Sequence, residues 1–262
     1  MLDIHATAIG KKFFEGYLES IEIENVRRMG VARYGCNGAK PCLEPFFNKK
    51  TREHSDMDHS SACQTLLFLM RSLYGNRLRI SSPKIYTYMD FILKYHELGE
   101  TITGDIPADG TRDDEFYDAN DRNEFYCFVD KYVLDEHDRI AIKHLYDCMD
   151  KKSSYEGRLL YLIDKLEAIC RNFAYEYCGR PGNIMINPDK VSELEKERVG
   201  TVGSTLPADV WAYGFLATDP TLEFYECVDI FIELIQSAAM YVRGRELDWI
   251  DMFLNNACNT AI

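Results

Sequence analysis

Tyr88-Met89-Asp90-Phe91-Ile92-Leu93-Lys94-Tyr95-His96-Glu97-Leu98-Gly99-Glu100-Thr101-Ile102-Thr103-Gly104-Asp105-Ile106 is the stretch from which the rest of the chain is read. Its apolar residues recur three and four positions apart, the spacing of one face of a helix. Gly104-Asp105-Ile106-Pro107-Ala108-Asp109-Gly110 cannot continue that helix, because proline lacks the amide donor and clashes with the preceding turn. His96 and Glu97 close the apolar run. An imidazole and a carboxylate are costly there unless they are hydrogen-bonded or hold a cation.

Two other segments repeat the situation. Asp164 interrupts Leu159-Leu160-Tyr161-Leu162-Ile163 ahead of Lys165-Leu166-Glu167-Ala168-Ile169, and His54 stands just before Ala62-Cys63-Gln64-Thr65-Leu66-Leu67-Phe68-Leu69-Met70. Successive helical residues turn by about 100°, so His96 and Glu97 are neighbours at a helix edge and can share one ion. His54 and Asp164 then come from other helices, as the core of a bundle allows. Two imidazoles with two carboxylates suit a divalent first-row metal with open positions for water or phosphate.

In this order, His…His-acid…Asp, the chain resembles the HD-domain metal-dependent phosphohydrolases, with glutamate at position 97 where that superfamily has aspartate. The run His96-Glu97-Leu98-Gly99-Glu100…Gly104-Asp105-Ile106 is similar to the branch of nucleoside 5′-monophosphatases, and Asp164-Lys165-Leu166 resembles its closing motif. The resemblance implies one divalent ion (Mn, Co, Zn, Ni, Fe or Mg, which ligand type does not separate) held by His54, His96, Glu97 and Asp164. It implies Glu100 as general acid/base and Asp105 as the residue that positions water or substrate. It also implies a phosphate-binding arginine, for which Arg28 is the first candidate and Arg33 the second.

The expected fold is all-α, an HD-type helical bundle over residues 9–180 with additional C-terminal helices at 181–262 packed on it. Helices are expected at 9–29, 55–75, 84–100, 114–134, 136–149, 155–178 and 221–243, with an irregular region from Gly179 to Pro220. The expected activity is phosphate release from a nucleoside 5′-monophosphate or similar small phosphomonoester. The alternatives are a phosphodiesterase or nucleoside triphosphohydrolase of the same superfamily, and a nucleotide-binding regulatory HD module with little turnover.

Composition bounds these readings. A formal charge of −13 opposes nucleic-acid binding, which needs a basic surface. No apolar run approaches the roughly 18 residues of a membrane span, and Met1-Leu2-Asp3-Ile4-His5 lacks the pattern of a signal peptide. A cytoplasmic protein is the expectation, and the resemblance implies a homodimer. The nine cysteines show no metal-binding pair spacing and are read as reduced, several of them in the core. His59 lies off the face of His54 and is expected to be solvated or to support the site. His137 and His144 belong to a solvated charged face, and the acidic run Asp109, Asp113, Asp114, Glu115 to a helix start. Phe173, Tyr175 and Tyr177 read as core or rim. The apolar face of 221–243, with Phe224, Val228, Phe231, Ile232, Ile235, Ala239 and Val242, reads as core or dimer surface.

Overall fold

A computed structural model describes residues 5–18, 56–75, 77–80, 82–99, 114–177, 193–218 and 227–250. Among these the chain is all-α, without a strand. The elements are α1 (residues 8–18), α2 (Asp56–Tyr74), α3 (Pro83–Tyr95), a 3-10 turn (His96–Gly99), α4 (Asp114–Tyr132), α5 (Glu136–Asp150), α6 (Tyr155–Tyr177), α7 (Glu193–Val202), α8 (Pro207–Thr218) and α9 (Val228–Arg243). No described helix is long and apolar enough to cross a membrane.

By internal packing the chain divides into two compact units, His54–Asp164 and a discontinuous unit of Met1–Glu53 with Lys165–Ile262.

In the His54–Asp164 unit, α2 lays down a stripe of Cys63, Leu66, Leu67, Met70 and Tyr74, each at most 2% exposed. It packs on α3, whose buried residues Tyr88, Met89, Ile92 and Leu93 follow the same period. The start of α3 is fixed by Ser82, whose hydroxyl accepts a hydrogen bond from the Ile85 amide, and by Pro83 in the first turn. Asp135 caps α5 in the same way, accepting from the Asp138 amide. Aromatic rings bind α3 to α4 through Phe91–Phe125 and Tyr95–Phe128, with centroids 6.2 and 4.5 Å apart. The expected helix 84–100 ends at Tyr95 and tightens into the 3-10 turn, which packs closely on α4.

In the other unit, α9 is buried almost all round. Phe231, Ile232, Ile235 and Ala239 belong to the core and not to an outer surface. Its buried polar residues are satisfied: Thr7 donates to Glu233 Oε1 at 2.6 Å, and the Leu247 amide donates to Gln236 Oε1 at 2.8 Å. Arg243 gives a two-pronged bond to Glu176 of α6 (2.6 and 2.7 Å) and a third to Asp209 of α8 (2.7 Å).

The irregular region expected between Gly179 and Pro220 contains α7 and α8. Gly200 lies within α7, and Gly203, at φ 66°, ends it in the left-handed region. Pro207 starts a helix in its first turn, and Ala208, Val210, Ala212 and Leu216 are buried. Core thiols are found at Cys63, Cys148, Cys170 and Cys227, while Cys127 is exposed. His137 and His144 are exposed, as a solvated face requires.

Candidate metal centre

Three elements of the His54–Asp164 unit bring four side chains to one point. α2 supplies His59 from its first turn, the 3-10 turn supplies His96 and Glu97, and α6 supplies Asp164. One ligand atom from each lies within 4.8 Å of all the others. His59 Nε2 is 3.0 Å from Asp164 Oδ1 and 3.6 Å from Glu97 Oε1. His96 Nε2 is 3.0 Å from Glu97 Oε1 and 3.7 Å from Asp164 Oδ1. Ligands held about 2.1 Å from a common ion at angles of 90–109° stand about 3.0–3.4 Å apart. Two of the nitrogen–oxygen edges, at 3.0 Å, are of that size, and the other two, at 3.6 and 3.7 Å, are slightly longer.

His96 is the most constrained of the four. Its Nδ1 makes a 3.0 Å hydrogen bond to the Leu93 carbonyl, which in the neutral ring puts the proton on Nδ1 and the lone pair on Nε2. That Nε2 is buried beside the Glu97 and Asp164 carboxylates and makes no well-aligned hydrogen bond to either. A buried polar atom left this way costs free energy, and a cation among the two imidazoles and two carboxylates removes the cost. The donor set therefore fits a divalent ion.

Electrostatics agree. Burial works against a charged His96, but Glu97 foremost and Asp164 with it overcome that penalty and raise its pKa from 6.5 to about 9. Two carboxylates that hold a proton so firmly offer the same field to a metal. The side chains of His59, Glu97 and Asp164 are 17, 22 and 13% exposed, so the cluster is shielded yet retains a face to solvent.

The local sequence explains the convergence. His59 heads the stripe that continues four, seven, eight and eleven residues later at Cys63, Leu66, Leu67 and Met70, so it faces the interior. Cys63 Sγ lies 3.6 Å from His59 Nε2. Leu159, Leu160, Leu162 and Ile163 are buried along α6 and fix Asp164 in register. Gly99 ends the turn where a Cβ would collide with the Asp121 Cα, so only glycine lets the turn approach α4 this closely.

Of the residues expected to form the site, His96, Glu97 and Asp164 are brought together. His54, Glu100, Asp105, Arg28 and Arg33 lie outside the described residues. The expectation that His59 is solvated or merely supportive is corrected: its Nε2 is one of the four clustered ligand atoms. The signal for it was the spacing from His59 into the buried α2 stripe.

No family model, curated protein or solved structure matches this chain.

Proposed function

We propose that this chain is a divalent-metal-dependent phosphohydrolase that releases phosphate from a small phosphomonoester, with a nucleoside 5′-monophosphate the first substrate class to test. The single observation that carries the reading is the convergence of the buried His96 Nε2 with His59, Glu97 and Asp164, one ligand atom from each within 4.8 Å of the others. The motif from His96 to Ile106, and its resemblance to HD-type hydrolases, supports phosphate ester chemistry.

His59, His96, Glu97 and Asp164 would hold the ion. When bound, it would polarise a phosphoryl oxygen and lower the pKa of water. The chain's own residues have separate work. The Leu93 carbonyl holds the His96 ring in its tautomer and orientation. Apolar burial around α2 and α6 excludes water from the inner side of the site. Glu100, three residues beyond Glu97, is the proposed proton donor and acceptor, Asp105 orients water or substrate, and Arg28 or Arg33 offsets phosphate charge with a guanidinium fork.

The test is phosphate release from nucleoside mono-, di- and triphosphates by protein stripped of metal and resupplied with manganese, cobalt, magnesium or zinc. Metal-dependent release from monophosphates, lost in Asp164→Asn, is the expected result. A metal-loaded protein inactive on every phosphoester tried would contradict it.

A further inference from the structure

Two of the four candidate ligands sit on a 3-10 turn of only four residues, His96–Gly99, and such a turn has little rigidity of its own. It is held from outside. Asn120 Nδ2 of α4 donates a 3.1 Å hydrogen bond to the Gly99 carbonyl, the last acceptor of the turn. Gly99 has no Cβ because the Asp121 backbone and carboxylate occupy that space. The turn packs more closely on α4 than on α2 or α3, although α4 supplies no ligand.

We infer that Asn120 is a positioning residue of the metal centre: its amide clamps the Gly99 carbonyl, sets the pitch of the turn, and so aims His96 and Glu97 at the shared ion. The inference rests on the proposed metal site and extends it to a residue that touches neither ion nor substrate. Asparagine suits the task because its short amide donates to a carbonyl across the helix–turn contact without carrying charge toward Glu97 and Asp164. An aspartate there has the same shape but no donor, and it would set a carboxylate against a carbonyl oxygen.

The experiment is equilibrium titration of Co2+ into the full-length, metal-stripped protein, read by calorimetry and by the visible spectrum of the bound ion. Asn120→Ala and the isosteric Asn120→Asp are expected to weaken Co2+ binding by roughly 10- to 100-fold, the usual effect of removing a group that orients a ligand. Both are also expected to change the visible spectrum, because the ligand geometry shifts. Asn120→Ser keeps a donor and should recover part of the affinity. Asn123→Ala, exposed on the same helix, should bind as the parent does. Folding of each variant at the titration temperature is checked by circular dichroism, and Asn120→Asp carries the test if Asn120→Ala does not fold. Asn120 variants with parental affinity and spectrum, beside an Asp164→Asn that has lost binding, would overturn this inference alone. An Asp164→Asn that binds Co2+ like the parent would overturn the metal site itself.

Discussion

A proton and a divalent cation compete for His96 Nε2. In the metal-free chain Glu97 and Asp164 hold the proton to about pH 9, and a ligand nitrogen must lose it before coordinating. Metal uptake at pH 7 should therefore release protons, and affinity should rise between pH 7 and 9. Calorimetry in buffers of differing ionisation enthalpy measures the protons directly. The stability of the stripped protein should run the other way. His96 binds its proton more tightly when folded (about 9) than at its ordinary 6.5. Its contribution is complete below about pH 6.5 and is lost as pH rises through 9. Thermal unfolding of stripped protein across that window, compared with His96→Gln, isolates the effect. A stripped protein whose dependence on pH matches that of the variant would contradict the assignment.

At the scale of elements, the contact between the turn and α4 leaves no room for a methyl group. Gly99→Ala should cost about 1–3 kcal/mol, the usual penalty for overfilling a packed contact, and should weaken metal binding along with stability. Denaturant unfolding measures the first and Co2+ titration the second. A different kind of junction joins α6, α8 and α9 at Arg243, whose side chain is 10% exposed between Glu176 and Asp209. Arg243→Met would leave two carboxylates buried without their cation, at a cost of about 3–5 kcal/mol, seen as a large fall in unfolding midpoint.

The helices were legible in the sequence wherever an apolar face was long and uninterrupted. α5 and α6 begin where periodicity placed them and end within a residue of it. α7 and α8 were not legible, because short helices between glycines and prolines carry too few turns for a face to stand out. In the centre, His96, Glu97 and Asp164 announced themselves as polar groups in apolar runs. His59 did not, because Ser55-Asp56-Met57-Asp58 before it made its surroundings look like solvent, and only its register with Cys63 and Leu66 shows that it faces inward.

For the molecule as a whole, a net charge of −13 disfavours polyanions as partners while leaving room for a small phosphate drawn to a local cation. Binding that is specific to the folded state also stabilises it. At a hundredfold excess of metal over its Kd the gain is about 2.7 kcal/mol, so chelation should lower the unfolding midpoint of the parent and leave Asp164→Asn unmoved.

The most direct measurement is the metal content of the full-length protein after dialysis against a divalent first-row metal, beside that of His59→Ala and His96→Ala. The centre described here predicts one ion per chain in the parent and a loss of that ion in both variants. A parent that retains no metal, or a His59→Ala that retains as much as the parent, would contradict it.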